Sequence, residues 1–458
     1  VTRPAGFRFD HQSIDLLREA LERLNDGFSS LPAIQSLAKD DVAMRQVLLE
    51  VAERMQDNYP YFHPLYAGQM LKPPHPVARL AYALAMWINP NNHALDGGRA
   101  SSRMEKEAVA EIARMFGWET HLGHLTGGGT MANLEALWVA GQLRSDGVIL
   151  ASDQAHYTHR RICGVLKLPF ESVRCDRFGR MHVEALKQRL RAGDVGTVVA
   201  TLGTPATGSV DPLPAILDLR QRHGFRLHAD CAYGGYYGLA PNLGPAARAA
   251  FDRLGEVDSI VIDPHKHGLQ PYGCGCVLFR NPAVGKFYRH ESPYTYFSSG
   301  DLHLGEISLE CSRPGAAAVA LWATQRLLPL IRGGEFAGIL ADCRKAALAV
   351  YERLAADKRF VIAFPPELDI VVWAPSADTV ARSSEAARRI FAESARQGLH
   401  LALAEVPAKF FADNSANFWG DPTIVCLRSV VMKPSHAESV ERIWEILVQS
   451  TDAVAQSG

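Results

Sequence analysis

The stretch Ser259-Ile260-Val261-Ile262-Asp263-Pro264-His265-Lys266-His267-Gly268 decides how this chain is read. Its first four residues form a short apolar run of strand type, and the Asp-Pro pair ends it. A strand-end turn has no need of a lysine between two histidines. Burial and neighbouring cations favour the neutral, nucleophilic form of a lysine amine, which attacks carbonyl carbons. Lys266 is therefore a candidate for Schiff-base chemistry with an aldehyde cofactor or a carbonyl substrate. A solvated loop lysine is the ordinary alternative. The rest of the chain decides between them.

Upstream lies a second strand with a charged end, Leu227-His228-Ala229-Asp230-Cys231-Ala232-Tyr233-Gly234-Gly235. A carboxylate at the carboxyl end of a buried strand sits where α/β sheets bind ligands. Asp230 reads as a charge partner for a heteroaromatic nitrogen, with turn forming as its bland alternative. Ala232 leaves a small, flat surface for a ring. Further upstream, Thr126-Gly127-Gly128-Gly129-Thr130 precedes a helical pattern built on Ala132, Leu134, Ala136, Leu137 and Ala140. Glycines expose backbone N–H groups and the helix start adds partial positive charge, so Gly128, Gly129 and Thr130 form a candidate phosphate cup. This is neither a dinucleotide fingerprint nor a Walker loop. His156, just after a strand, could stack on a ring. Thr204, at the exit of another strand, could donate a hydrogen bond.

Composition narrows the class. The 458 residues are 47% hydrophobic and 21% charged, values of a globular chain. The 48 basic and 49 acidic residues leave a net charge of −1, which disfavours nucleic acid or an anionic membrane as the main partner. The eight cysteines show no framework spacing, and Cys274-Gly275-Cys276 lacks the second pair a zinc site needs, so no metal is expected. With no apolar leader and no run of membrane length, we expect a reducing cytoplasm.

Alternating helical patterns and apolar runs, at about residues 147–151, 165–168, 197–202, 226–229, 259–262 and 274–279, predict a mostly parallel sheet with helices on both faces. After residue 333 the pattern changes to that of a smaller α+β domain. We divide the chain into an N-terminal helical and extended segment (1–75), a large α/β domain (76–333) and the C-terminal domain (334–458).

A phosphate cup, a stacking histidine, a strand-end aspartate and a strand-end lysine are the parts pyridoxal 5'-phosphate requires. At these positions the chain resembles the group II pyridoxal-phosphate-dependent amino-acid decarboxylases, which include aromatic amino-acid, tyrosine, glutamate and aspartate decarboxylases. The resemblance rests on TGGGTMANL (126–134), His156, HADCAYG (228–234) and DPHK (263–266), and it extends from about Tyr59 into the C-terminal domain. It implies fold type I, the aspartate aminotransferase-like α/β fold. It further implies α-decarboxylation of an L-amino acid to the amine and carbon dioxide.

By that resemblance Lys266 carries the cofactor, Asp230 pairs its ring nitrogen and His156 stacks on the ring. Gly128, Gly129 and Thr130 hold the phosphate, Thr204 lies near the ring, and His265 sits against cofactor and substrate. His63, Pro64 and Tyr66 would line the substrate side chain, which favours an aromatic substrate. By its own chemistry Arg313 or Arg428 could instead hold an acidic side chain or the substrate carboxylate, with surface ion pairing as the commoner fate of an arginine. Residues 288–300 resemble a catalytic loop, making Tyr294 and Tyr296 candidate proton donors. Members of the family are homodimers with active sites at the subunit interface and the N-terminal segment wrapped on the partner.

Two departures stand out. Asp263 occupies a position where aromatic amino-acid decarboxylases usually have Asn. Residues 309–315 (LECSRPG) resemble a segment shared with archaeal decarboxylases and sphingosine-phosphate lyases. An acidic amino acid, or a carbon–carbon lyase reaction on a phosphorylated amine, are the competing readings. A non-enzymatic cofactor carrier is a third.

Overall fold

A computed structural model describes residues 9–10, 12–33, 40–289, 302–411 and 422–456. The chain opens with α1 (Ser13–Asp26), α2 (Asp41–Met55), α3 (Pro76–Met86) and α4 (Leu95–Met115). There follow β1 (Leu122–Thr126), α5 (Gly129–Leu143), β2 (Val148–Ser152), α6 (Thr158–Leu166), β3 (Phe170–Val173) and α7 (Val183–Leu190). Next are β4 (Val195–Thr201), α8 (Leu213–His223), β5 (Arg226–Asp230), α9 (Pro245–Asp252), β6 (Ser259–Ile262) and β7 (Gly275–Phe279). The seven strands form one sheet in the order β1-β7-β6-β5-β4-β2-β3. It is parallel from β6 through β3, and β7 runs antiparallel to both β6 and β1.

This sheet is buried on both faces, which is why its strands read as apolar runs rather than strict alternations. Val261, Val277 and Phe279 pack under α5 with Ala132, Ala136 and Val139. Their sequence neighbours Ile260, Ile262 and Leu278 point the opposite way, into the core shared with α4, α8 and α9.

After α10 (Gly315–Leu327) and α11 (Glu335–Ala356) comes a second sheet, made of β8 (Phe360–Ile362), β9 (Ile370–Pro375), β10 (Ala402–Pro407) and β11 (Thr423–Val430). Its order is β10-β11-β9-β8, antiparallel throughout. Together with α11, α12 (Val380–Arg396) and α13 (His436–Gln456) cover one face through Val371, Trp373, Leu427, Ile443 and Ile446. The other face, through Ile370, Val372 and Cys426, joins the core of the large sheet. The expected α/β fold with a mostly parallel sheet and a smaller α+β unit is the one observed.

One expected strand is corrected. Residues 165–168 do not form a strand: α6 runs through Leu166 and is closed by Lys167 in the left-handed conformation, with β3 starting at Phe170. Four apolar residues carry no period that separates a helix end from a strand. Among the described residues no helix is long and apolar enough to cross a membrane.

Candidate active site

The parallel strands end on one edge of the sheet, and a cavity of about 780 Å3 opens there. Into it come Gly127–Met131 from the turn between β1 and α5, and His156 from the turn after β2. Thr201 ends β4, Asp230 ends β5, and Asp263, His265 and Lys266 follow β6. Adjacent C-terminal strand ends are the reason residues far apart in sequence meet here.

The cup is built for an anion. The N-terminus of α5 carries no side-chain cap, so its first-turn N–H groups face the cavity. Gly128 has φ +153°, a conformation essentially reserved for glycine. A Cβ on Gly275 of β7 would fall 2.6 Å from Gly128 Cα, so the cup seats only against glycine. Thr130 also lines the cavity. One acceptor already holds the rim: Gly127 N–H donates to Glu310 Oε2 at 3.1 Å.

Asp230 is buried, with His159 Nε2 at 2.9 Å from Oδ2 and the Ala232 N–H donating to Oδ1 at 3.0 Å. Burial alone would push its carboxyl up, but the His159 hydrogen bond and the Ala232 N–H together hold it well below the usual carboxylate range. Ser259 Oγ, His228 and Asn133 Oδ1 form a buried chain that ends with Asn133 Nδ2 3.5 Å from Asp230 Oδ2. Burial pushes His228 down to about 3, so this ring is neutral. The result is a carboxylate kept ionised and aimed at the cavity, suited to a protonated ring nitrogen.

Lys266 Nζ lies 3.0 Å from Asp263 Oδ2. Its nearest charge is thus an anion, not the cationic neighbourhood the flanking histidines suggested. Burial pushes both His156 and His265 below the ordinary histidine value, leaving neutral rings on the cavity wall. The His156 ring stacks on Tyr157 with centroids 4.5 Å apart. Ala232 lines the cavity beside Asp230.

The remaining candidates are distributed differently. Thr204 does not reach the cavity: its hydroxyl accepts from Ser209 N–H and pairs with Thr207. Thr201 lines the cavity instead, with a buried hydroxyl that has no hydrogen-bond partner among the described residues. Arg313 is also corrected. Its guanidinium is buried against Glu105 at 2.7 Å and donates to Leu125 O, tying α4 to β1 away from the cavity.

His63, Pro64 and Tyr66 do not line the cavity either. Tyr66 packs with Tyr61 and His400, and Pro64 O accepts from His436 Nε2, because this stretch lies along the smaller domain. Gln69 and Met70, a few residues on, reach the cavity in their place. Arg428 does line it; its guanidinium donates to Ala206 O, Pro205 O, Gly68 O and Gln69 Oε1. Tyr294 and Tyr296 lie outside the described residues.

His159, Asn133 and Thr201 escaped sequence reading because their roles come from approach in space. The one available signal was His159, three positions after His156.

The profile of the pyridoxal-dependent decarboxylase conserved domain matches residues 134–374, more than half of the chain. The chain belongs to the pyridoxal-dependent decarboxylase family. It is a pyridoxal-phosphate-dependent amino-acid decarboxylase, and the uncapped cup, strand-end Asp230 and accessible Lys266 fit that cofactor.

Curated relatives agree. A probable L-tyrosine/L-aspartate decarboxylase of Methanopyrus kandleri is 28% identical over 83% of this chain and 95% of that protein. An L-tyrosine decarboxylase of Enterococcus faecium is 29% identical over 75% of each chain. An L-aspartate decarboxylase of Thermococcus kodakarensis is 30% identical over 61% of this chain and 71% of that one. In fold, the decarboxylase resembles Oryza sativa TDC, solved with PLP and tryptamine, with a TM-score of 0.78, 19% identity and coverage of 98% and 99%. Mouse CSAD gives a TM-score of 0.78 at 21% identity, covering 94% and 91%.

Proposed function

We propose that this enzyme decarboxylates an aromatic L-amino acid of tyrosine type. The observation that carries the reading is the make-up of the cavity wall away from the cup. There Met70, Pro205, Ala206, Leu403 and Ala404 offer apolar surface beside Gln69. Among the described residues, the cations on the wall are Lys266 and Arg428. Lys266 faces Asp263, and Arg428 already donates to three carbonyls and Gln69. A second carboxylate on the substrate would therefore have to break existing hydrogen bonds to find a partner, whereas an aromatic ring would not.

In this reading Lys266 Nζ is the covalent attachment point, and the α5 cup with Thr130 holds the phosphate. His156 would lie against the cofactor ring. Asp230, fixed by His159 and Asn133, keeps a proton on the ring nitrogen. Bound pyridoxal phosphate supplies the electron sink that accepts the bonding pair as carbon dioxide leaves. The apolar wall excludes water from the substrate side.

The names of the relatives supply the competing substrate, L-aspartate. Incubation with a panel of L-amino acids, scoring amine and carbon dioxide, separates the two. We expect kcat/KM for L-tyrosine to exceed that for L-aspartate by about tenfold or more. The reverse order overturns the aromatic assignment. No carbon dioxide from any amino acid, together with cleavage of a phosphorylated amino alcohol to an aldehyde and a smaller phosphorylated amine, would favour the lyase reading.

The reading includes a homodimer in which the start of the N-terminal segment, α1 and α2, packs on the second copy. Helices α1 and α2 bury no residue in a single chain, and α2 exposes Val42, Val47, Leu48 and Leu49. Light scattering should give twice the chain mass, and a monomer would refute it.

A further inference from the structure

Asp263 places a carboxylate inside a cup shaped for phosphate. A Cβ built on Gly129, in the first turn of α5, would meet Asp263 Oδ2 at 2.7 Å and Oδ1 at 2.9 Å. The side chain is buried; Oδ2 faces Lys266 Nζ at 3.0 Å, and Oδ1 has no hydrogen-bond partner among the described residues. A phosphate drawn to the α5 N-terminus would therefore arrive beside an anion whose counter-charge is the same lysine the cofactor engages. The second acid, Glu310, stands at Gly127.

The other titratable groups around Asp263 offer no relief. On its own segment, His265 is pushed down by burial, and His156, from the turn after β2, likewise. Tyr236, after β5, and Tyr272, pushed up to about 12, are neutral phenols. Cys274 and Cys276, on the β7 side, are neutral thiols raised by burial. Two anions brought together in this setting exclude one of their ionised forms.

We propose that Asp263 makes cofactor loading proton-coupled: one proton, taken from solvent, is held between its carboxylate and the cofactor phosphate when the cup is filled. The inference rests on the reading of the cup as the phosphate site. A loading step that takes up one proton weakens about tenfold for each unit rise in pH.

The test is calorimetric titration of the cofactor-free enzyme with pyridoxal phosphate at about pH 8, where a free phosphate ester is largely a dianion. Buffers of different ionisation enthalpy report the protons taken up. We expect about one proton with pyridoxal phosphate and none with pyridoxal, which has no phosphate. Asp263→Asn should abolish the uptake and bind the cofactor about tenfold more tightly at that pH. Asp263→Ser, smaller and also neutral, should do the same if the Asn variant folds poorly. Glu310→Gln should retain the uptake. Unchanged uptake in both Asp263 variants, or loss of uptake in Glu310→Gln alone, overturns the proposal while leaving the site intact. Failure of the wild-type chain to take up pyridoxal phosphate at any pH overturns the reading of the site and the proposal with it.

Discussion

His159 Nε2 stands 2.9 Å from Asp230 Oδ2, and both side chains are buried. Burial works against the charged carboxylate, and this contact is the largest of those that outweigh it. His159→Phe removes the contact and leaves a buried acid poorly supported. Asp230 should then protonate at higher pH, so the acid limb of the kcat profile moves upward. We expect kcat at neutral pH to fall about 10- to 100-fold. His159→Gln keeps a donor and should recover part of the loss. Loss of folding without movement of the acid limb would assign His159 a purely structural role.

Lys266→Ala should abolish covalent retention of the cofactor. Borohydride reduction of the loaded wild-type enzyme should add the cofactor mass to the peptide containing Lys266, and the variant should gain none. Turnover should drop by about 10³ or more. Cofactor mass fixed on another lysine of the wild-type chain would refute the assignment.

Arg313 and Glu105 form a buried pair at 2.7 Å, with side-chain exposures of 4% and 2%. Breaking one half leaves an uncompensated charge, so Arg313→Met should destabilise the fold by about 3–5 kcal/mol in chemical denaturation. Adding Glu105→Leu should recover most of that. Undiminished stability with lost turnover would return Arg313 to a substrate role.

Lys433 is buried beside Tyr66, where burial, aided by Lys72, depresses its amine from 10.5 to about 7. Between those values the unfolded chain holds a proton the folded chain lacks, so stability rises with pH across that window. The penalty is full below about 7 and gone above the unfolded value. Lys433→Met should thus stabilise by about 1–2 kcal/mol near neutral pH, less its lost hydrogen bond to Tyr66 O, with the gain fading toward alkaline pH. A gain independent of pH would show that packing, not charge, sets the difference.

Much of the site was legible because its local chemistry is unusual. A lysine after Ser259–Ile262, an aspartate ending Arg226–Asp230 and three glycines before a helix each have an ordinary reading when taken alone. Their presence together implied one cofactor. The strand Leu122–Thr126 was not legible: with Gly123 and His124 inside it, its pattern is too broken to read, and its place comes from pairing with β7.

The sequence alone pointed to pyridoxal phosphate and to the α/β order of the chain, since strand-end residues and apolar periodicity are local properties. The tertiary structure decided which of several like residues does what. Arg428 faces the cavity while Arg313 is spent on Glu105; Thr201 reaches it while Thr204 turns to Ser209; Asp263 shares the cup with Lys266. Those choices depend on which side chains lose water together, and only the packed chain sets that.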